Sequence, residues 1–414
     1  MKRRIILRKE HFGGFFVDTA RPKYELLDHY GYAKRLAQLS SLPDSERRLV
    51  QMVNTSKEGW KLFPVHLSAP SSIFLELTRK CNNNCVYCFA NSSSRAHTKE
   101  MSFEELDRLT DSFVKYGGFY IRLGGGEPTF RPDFFRIVDM MGAKGICLGL
   151  NTNGLFSKET LDGIISRGIR DVRISLDGPK GLNDSLRGKG TFDRITRTLD
   201  GIAQFNSKSP EDRVDLTINV VLSKNTFPFI DETVAMVAGR YKGVNLSFGL
   251  LRVSGRAQAK DMLSAKEVLE AAKKVQKWRE SDLVKKAGLK LRVNYDVFCE
   301  PREGDEYRPF PFDNSKCPLA SAGMGLTVDG KILPCGYMTE IGNGRWLGED
   351  MTKADYLGAW NESKVLTEAR GVLRKGCEGC SHHGTKCNGG CPVMSFVFNG
   401  VLDGKDPYCV RGLE

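Results

Sequence analysis

Three cysteines, Cys81, Cys85 and Cys88, form the most chemically specific pattern in the chain. Thiolates are the protein ligands of iron–sulfur clusters, and three of them can hold three irons of a cubane cluster while the fourth iron stays open. The three asparagines between the first two cysteines favour turns, so the sulfurs can converge. A zinc site is the alternative, but a closed structural zinc site needs a fourth ligand and none follows directly. The pattern therefore favours a cluster that binds a further ligand at iron.

A second group of cysteines lies near the C-terminus. Seven of the twelve cysteines fall within about ninety residues there, at positions Cys317, Cys335, Cys377, Cys380, Cys387, Cys391 and Cys409. In a chain without an export signal, this density points to metal or redox chemistry before disulfides. Zinc is again the alternative, because the cysteines include closely spaced pairs and His382 and His383 are near them.

The two remaining cysteines are less informative. Cys147 lies in an apolar run, and a free cysteine in such a run commonly packs as a small hydrophobic residue. Cys299 lies just upstream of the second cysteine group, where either a ligand role or packing would suit it.

The composition is that of a multidomain enzyme without membrane spans. The chain has 414 residues, 40% of them hydrophobic, which is enough for two or three domains with sizeable cores. No apolar run approaches the length of a bilayer, and the N-terminus lacks the apolar core of a secretion signal, so we expect a cytoplasmic protein. The net charge of +12 suggests an acidic partner.

Residues 1–70 are predicted to form a small α+β module of winged-helix type. We expect short strands near Ile5–Arg8, Gly14–Asp18 and Lys23–Leu27, separated by glycine and proline turn signals. Helices are predicted from about Tyr30 to Leu39 and from about Asp44 to Val53.

Residues 71–300 alternate apolar strands with amphipathic helices, which is typical of βα units around a mainly parallel sheet. One helix is predicted from Ser102 to Tyr116. The predicted strands are Ile73–Leu77, Phe119–Leu123, Gly145–Asn151, Asp171–Ser175, Leu216–Leu222 and Asn245–Leu250. Active sites of such α/β folds collect at the carboxyl ends of the strands, and the first cysteine group directly follows the first strand.

The cysteine triplet resembles the signature of the radical S-adenosylmethionine (SAM) enzymes, in which an aromatic residue, here Tyr87, precedes the last cysteine. The resemblance implies a partial (β/α)6 TIM barrel, and an open iron that chelates the amino and carboxylate groups of SAM. It also implies reductive cleavage of SAM to a 5′-deoxyadenosyl radical that abstracts a hydrogen atom. Tyr87 would lie against the adenine.

The same resemblance assigns further residues to the SAM pocket. Gly125, Gly126 and Glu127 match a glycine-rich motif that binds the SAM amino group, with Glu127 supplying the carboxylate. Ser175 is then a candidate for the ribose hydroxyls, and Asn153 for the pocket lining. The remaining member is Arg187, which matches an arginine that contacts the SAM carboxylate, a pairing that suits the planar guanidinium.

The C-terminal cysteines, in residues 301–414, resemble the SPASM domain, which holds two auxiliary four-iron four-sulfur clusters. Three clusters are therefore expected in all. The family scheme assigns Cys377, Cys380, Cys387 and Cys409 to a fully ligated distal cluster. It assigns Cys317, Cys335 and Cys391 to a proximal cluster, whose fourth position is either open to substrate or filled by Cys299. One departure is visible, because the spacing between Cys380 and Cys387 is one residue longer than the usual pattern.

Residues 1–70 resemble the PqqD-like peptide-recognition element, which captures a leader peptide by adding it as a strand to a sheet edge. The expected function is therefore that of a peptide maturase, in which hydrogen abstraction from a ribosomally made precursor leads to a thioether or carbon–carbon crosslink. Its expected partners are the precursor peptide and an electron donor of flavodoxin or ferredoxin type, with no membrane or nucleic acid.

Other functions stay open at this stage. A sulfatase-type formylglycine maturase and a tetrapyrrole-modifying enzyme would keep the radical chemistry and change the substrate. A non-catalytic iron–sulfur or zinc-binding protein would have no use for a SAM pocket. Asp296, Glu300 and Asp313 lie between barrel and clusters, but no general acid or base can be selected among them.

Overall fold

The computed structural model describes residues 2–55, 66–293, 320–373, 375–381, 383, 387 and 389–413. The chain forms a small N-terminal sheet and a large, mostly parallel sheet that helices cover. Six residues that the sequence analysis considered lie outside the described residues: Asp296, Cys299, Glu300, Asp313, Cys317 and His382.

The N-terminal sheet has four strands in the order β3-β2-β1-β4. They are β1 (Ile5–Glu10), β2 (Gly13–Asp18), β3 (Arg21–Leu27) and β4 (Val50–Asn54), with α1 (His29–Ser40) and the single turn α2 (Asp44–Arg47) between β3 and β4. The first three strands form an antiparallel meander, as predicted, and β4 pairs in parallel with β1.

The prediction of a second helix from Asp44 to Val53 was wrong, because the helix ends at Arg47 and the chain continues as β4. The unpaired edge of β1 accounts for the difference. Pairing there satisfies the backbone groups of Val50–Asn54 and buries Val53 in a cluster with Ile6 and Phe15.

Hydrogen bonds of buried charged side chains connect the N-terminal sheet to the rest of the chain. The Arg4 guanidinium donates to the carbonyl oxygens of Gly118 and Val114 at 3.0 and 3.1 Å. Glu10, which is 2% exposed, accepts from the backbone and hydroxyl of Ser68. Leaving a buried charged group without its hydrogen-bond partners is costly, so we expect the sheet to keep one orientation against the following strands.

The large sheet has nine strands in the order β11-β10-β9-β8-β7-β6-β5-β12-β13. Its strands are β5 (Ser72–Thr78), β6 (Tyr120–Gly125), β7 (Cys147–Thr152), β8 (Asp171–Ser175), β9 (Asp215–Leu222), β10 (Asn245–Leu250), β11 (Lys290–Val293), β12 (Gly323–Leu326) and β13 (Ile332–Leu333). All neighbours from β11 to β12 are parallel, and only β13 is antiparallel. All six predicted strands are present, and the barrel that they begin does not close.

Helices connect the parallel strands in the expected βα order. They are α3 (Phe103–Lys115), α4 (Phe134–Ala143), α5 (Lys158–Ser166), α6 (Lys180–Arg187), α7 (Thr191–Lys208), α8 (Ile230–Arg240), α9 (Ala265–Arg279) and α10 (Asp282–Ala287). The predicted helix from Ser102 is α3. Ser102 caps it reciprocally with Glu105, so two otherwise unpaired backbone donors are satisfied.

The C-terminal part contributes three further helices, α11 (Tyr356–Glu362), α12 (Lys364–Arg370) and α13 (Pro392–Asn399). It is joined to the large sheet by β12 and by buried contacts. The Trp360 indole donates to the Leu67 carbonyl oxygen at 2.7 Å, and the Tyr408 hydroxyl donates to the Leu251 carbonyl oxygen at 2.8 Å. Within the described residues, no helix combines the length and apolarity that crossing a bilayer requires.

Candidate active site

The loop that follows β5 carries Cys81, Cys85 and Cys88, which all have free thiols. The loop is shaped by short backbone bonds: the Cys81 amide donates to the Ser93 carbonyl oxygen, and the Cys88 amide donates to that of Cys85. The Asn91 amide closes a second turn on Cys88. This series of turns keeps the three thiols close enough to influence one another electrostatically, as the asparagine-rich spacing predicts.

Donor groups of the protein surround the three sulfurs. The Cys81 sulfur accepts from the side chain of Asn153 at 3.6 Å, and the Cys88 sulfur accepts from the Ser92 amide at 3.4 Å. The Cys85 sulfur accepts from Arg187 at 3.8 Å. Such donors stabilise thiolate ligands and tune the potential of a cluster.

Their surroundings keep Cys81 and Cys85 protonated while no metal is bound. Burial raises the pKa of Cys81 to about 12, and the carboxylate of Glu127 adds to the rise. Burial also raises the pKa of Cys85, while the Arg187 guanidinium opposes that rise. Thiols of this kind lose their protons when a metal binds.

The ligand geometry distinguishes a cluster from a single ion. In the described parts of the chain, no three His, Cys, Asp or Glu side chains lie close enough to hold one metal ion. A cubane cluster has a different requirement, because each thiolate binds its own iron. The two kinds of site therefore place different demands on the three sulfurs.

The glycine-rich loop after β6 is tied to the chain that leads into the cysteines. The Gly126 amide donates to the Thr78 carbonyl oxygen at 2.7 Å, and the Glu127 amide donates to that of Lys80 at 2.9 Å. Gly125 has a φ of +108°, and a Cβ atom at Gly126 would overlap the Lys80 carbonyl oxygen. Only glycine permits this approach, so the two loops hold one another in place.

Glu127 is completely buried and has its partners within the protein. Its oxygens accept from the Thr129 hydroxyl at 2.7 Å, from the Thr152 hydroxyl at 2.9 Å and from the Asn153 amide at 2.8 Å. The carboxylate therefore organises the loop after β7, whose Asn153 side chain also donates to Asn82 at 2.8 Å. That Glu127 binds the SAM amino group stays a prediction.

Arg187 lies at the end of α6 and forms a buried ion pair with Asp177 at 2.5 Å. Its guanidinium also lies 5.6 Å from the centre of the Tyr87 ring. The Tyr87 hydroxyl is buried and has no hydrogen-bond partner among the described residues, which fits a residue whose partner is a ligand. Ser175 ends β8 opposite Asn219, at the same edge of the sheet. These roles in SAM binding stay predictions.

Two residues that the sequence analysis did not select, Gly255 and Arg256, hold the cysteine loop from the far side. The Arg256 guanidinium donates to the carbonyl oxygens of Cys85 and Ser92, both at 2.9 Å, and its amide donates to that of Cys88. Gly255 has a φ of +60°, and a Cβ atom there would overlap the Cys88 carbonyl oxygen. Their position just after the strand Asn245–Leu250 was the available signal, because strand ends meet at one edge.

The described C-terminal cysteines fall into two neighbourhoods. Cys335 and Cys391 influence one another electrostatically, and burial raises the pKa of Cys335 to about 11. Cys387 is likewise close to Cys380 and Cys409. The Cys377 carbonyl accepts from the Cys380 amide. This division agrees with the predicted proximal and distal sets, whose ligand roles stay predictions.

An aromatic contact joins the two cysteine regions. Phe89, which follows the first triplet, packs edge-to-face on Tyr337, with ring centres 5.2 Å apart. The Arg252 guanidinium lies 5.8 Å from the Tyr337 ring and interacts electrostatically with Cys391. The two cysteine regions are therefore neighbours. Cys147, by contrast, is 7% exposed and packs within β7, as expected for a structural residue.

Fold and site together define an α/β enzyme that gathers a cysteine cluster site and its ligand loops at one edge of an open parallel sheet. Residues 75–222 match the family model described as the radical SAM superfamily. Mycofactocin maturase MftC of Mycolicibacterium smegmatis is 31% identical over 358 residues, which cover 84% of this chain and 84% of that protein. The AdoMet-dependent heme synthase of Methanosarcina barkeri is 25% identical over 366 residues, which cover 83% and 97%.

A solved structure shares the whole fold. SuiB of Streptococcus suis bound to S-adenosylmethionine has a TM-score of 0.70 at 19% identity and covers 98% of both chains. SuiB has also been solved bound to the precursor peptide SuiA, with a TM-score of 0.69. The chain belongs to the radical SAM superfamily. It is therefore an enzyme that uses SAM and a radical SAM iron–sulfur cluster.

Proposed function

We propose that this radical SAM enzyme is a maturase of ribosomally made peptides. In this proposal residues 1–70 recruit the precursor, residues 71–300 carry out the radical chemistry and residues 301–414 hold the auxiliary clusters. The observation that carries it is the N-terminal sheet, which leaves one edge strand open beside a basic groove. The match to MftC over most of both chains, and the fold shared with SuiB, support the same class of substrate.

The open edge of the N-terminal sheet is β3. Among the described residues β3 pairs only with β2, whereas Gln51 on β4 donates to the carbonyl oxygens of Val114 and Lys115. An extended peptide can therefore add its backbone to β3. Next to this strand, Leu27, Gly31, Lys34, Arg35 and Gln38 line a groove of about 220 Å³.

The chemistry of the groove selects the leader. The aliphatic part of Leu27 and the open surface of Gly31 accept an apolar side chain. Lys34 brings positive charge to the rim, where Arg35 forms an ion pair with Glu25 of β3 at 2.6 Å. Arg35 also packs at 4.3 Å over the Phe16 ring, which fixes its position. We infer that the leader is an extended segment with an apolar anchor and acidic neighbours.

In the catalytic part, Cys81, Cys85 and Cys88 would hold the SAM-binding cluster, and Tyr87, Gly125, Gly126, Glu127, Asn153, Ser175 and Arg187 would form the SAM pocket. When bound there, cluster and SAM supply hydrogen-atom abstraction from an unactivated carbon. The protein's own contribution is orientation. Arg256 holds the cysteine loop by three hydrogen bonds, and Asp177 holds Arg187 beside Cys85. Preorganised groups of this kind lower the cost of reaching a reactive geometry.

In the C-terminal part we assign Cys317, Cys335 and Cys391 to a proximal cluster and Cys377, Cys380, Cys387 and Cys409 to a distal one. The contact between Phe89 and Tyr337 brings the proximal set near the first cysteine loop. This arrangement suits removal of an electron from the substrate after hydrogen abstraction, with a thioether or carbon–carbon crosslink as product. A flavodoxin- or ferredoxin-type protein would supply the reducing electron.

A tetrapyrrole-modifying activity is the second candidate, because the heme synthase of Methanosarcina barkeri matches over most of its length. Such an enzyme needs a pocket for an anionic macrocycle, and it does not need an open strand edge. Binding of a leader peptide by β3 therefore discriminates between the two.

Two measurements test the proposal. Protein reconstituted with iron and sulfide, then reduced with dithionite, should release 5′-deoxyadenosine from SAM. The C81A/C85A/C88A variant should not, and Cys147→Ala should behave as the intact protein because Cys147 is a packing residue. A protein that cannot be loaded with iron, or that loads fully and cleaves no SAM with any candidate peptide, would contradict the enzyme assignment.

The second measurement is binding of fluorescein-labelled peptides, encoded by short reading frames beside the gene, to the full chain by anisotropy. We expect a leader to bind, and K34E/R35E to weaken it at least tenfold. Arg136→Glu is the charge control, because Arg136 lies on α4 over the Phe103 ring and far from the groove in the fold. Leader affinity that is unaffected by K34E/R35E would refute the groove assignment.

A further inference from the structure

One charged residue of the large sheet has no role in the site described above. The side chains of β8 point alternately to the two faces of the sheet. Val172 and Ile174 form the first set and pack in the core under the helices, and Asp171, Arg173 and Ser175 form the second set. The second set lies on the inner face, the face of the sheet that turns away from the helices. Arg173 is exposed although its strand is in the middle of nine. Its side chain is therefore accessible to solvent on the inner face.

The neighbouring carboxylate is already occupied. Asp171 accepts from the Tyr120 hydroxyl at 2.7 Å and forms an ion pair with Arg122. Arg122 also donates to the Asn151 side chain at 3.1 Å. Arg173, by contrast, makes no hydrogen bond or ion pair with any described residue. Arg122 and Arg173 thus both lie near Asp171, but only Arg122 pairs with it, and among the described residues Arg173 has no carboxylate partner of its own.

The location of this charge is next to the reacting groups. Arg173 lies two residues before Ser175, the candidate for the SAM ribose, and it interacts electrostatically with the phenol of Tyr337. Tyr337 in turn packs on Phe89, beside the first cysteine triplet, and is 41% exposed. Arg173 stays a cation at neutral pH although its surroundings lower its pKa.

We propose that Arg173 binds a carboxylate of the substrate on the inner face and thereby places the reacting residue beside SAM. The inference rests on the proposed peptide substrate. An arginine fork matches a carboxylate in two parallel hydrogen bonds, so it fixes orientation as well as position. The carboxylate belongs either to an acidic side chain or to a chain end of the peptide. SAM has a carboxylate as well, and the test separates these sources.

The probes are two pairs of small molecules that differ only in charge. N-acetylphenylalanine and its amide represent a chain end, and N-acetylglutamate N-methylamide and the glutamine analogue represent a side chain. Binding to the full reconstituted chain is measured by saturation-transfer NMR with S-adenosylhomocysteine absent and present. We expect the acidic member of at least one pair to bind about five- to thirtyfold more tightly than the neutral member, as for a charge-assisted hydrogen bond at a partly hydrated site.

The variants assign the preference to one residue. Arg173→Gln should abolish the preference, and Arg173→Lys should keep part of it. Arg197→Gln is the matched control, because Arg197 is an exposed arginine on α7 that has no partner among the described residues. It removes the same charge elsewhere and should keep the full preference. Leader binding and iron content should be unchanged in all three variants.

A measurement on the unaltered protein tests the inference even when the variants fail to fold. Phenylglyoxal modification of Arg173, followed peptide by peptide in a mass spectrometer, should be slowed by the preferred acid and not by its neutral partner. Equal binding of both members of each pair, or a preference that survives Arg173→Gln, would overturn the inference. So would loss of the preference when S-adenosylhomocysteine is present, which would assign Arg173 to SAM. None of these outcomes requires peptide turnover, so they are independent of the tests of the proposed function.

Discussion

Replacing Arg256 with methionine should loosen the cysteine loop without disturbing the cysteines themselves. The side chain of Arg256 donates to the carbonyl oxygens of Cys85 and Ser92 and to the side chain of Asn91, at 2.9, 2.9 and 3.1 Å. Methionine keeps most of the aliphatic volume and removes every donor. The change therefore isolates the polar contacts that hold the loop.

The size of the effect follows from the two backbone acceptors. Each partly buried carbonyl that loses its charged donor costs roughly 1–3 kcal/mol. Because both sites keep some access to water, we expect a total of about 2–4 kcal/mol. The loop must be ordered to present its thiols, so retention of the first cluster should fall by roughly tenfold or more.

The assay is iron release to a ferrous chelator under anaerobic conditions. With the three clusters that we propose, we expect a fast phase of about four irons out of about twelve in Arg256→Met, because only the first cluster depends on this loop. Arg197→Met is the matched control and should release iron as the unaltered protein does, and Arg256→Lys should be intermediate. Identical release curves for Arg256→Met and the unaltered protein would refute the reasoning. A fast phase that included all twelve irons would show a global effect instead.

Three further perturbations have definite expected results. Glu76 is completely buried, and burial raises its pKa to about 7 from an ordinary value near 4.5. Its folded-state pKa is above the unfolded one, so stability should fall by up to about 3 kcal/mol as pH rises from 4.5 to 7 and then level off. Thermal unfolding across pH 5 to 8 should show this slope, and Glu76→Gln should remove it. Equal slopes for Glu76→Gln and the unaltered protein would contradict the prediction. Gly126→Ala should abolish SAM cleavage, because the added Cβ atom would overlap a backbone oxygen. Gly181 is a helical glycine with free space around it, so Gly181→Ala should raise the melting temperature or leave it unchanged. Ser102→Ala removes a capping box and should cost about 1 kcal/mol in denaturant unfolding, and no loss would show that the cap is dispensable.

Local pattern was sufficient for most of the fold. The strands from Ile73 to Leu250 were predictable, because apolar runs alternate with helical repeats and each run is too short to be a buried helix. The segment Val50–Asn54 was predicted as helix and is a strand. Its local sequence tolerates both states, and the deciding factor was the unpaired edge of β1, which is distant in the chain.

The candidate site divides in the same way. The cysteines and the glycine-rich loop were recognisable, because metal ligation and close backbone approach demand particular residue types. Arg256 and Arg173 were not, because an arginine is usually solvated, and only the fold shows what lies beside it. Arg256 acquires its role from the cysteine loop across the sheet edge, and Arg173 from the pairing of Asp171 with Arg122.

By itself, the sequence determined the chemistry of this protein: cysteines spaced for an open cluster, a glycine-rich loop and a run of βα units. Those features depend on residue type and short spacing, which a chain carries before it folds. The tertiary structure alone decided which groups serve that chemistry. It brought Arg256 onto the cysteine loop, buried Glu127 among Thr152 and Asn153, and left Arg173 without an ion pair among the described residues. Charge and hydrogen-bond partners are set by distances in space, and strand pairing joins residues that are far apart in the chain.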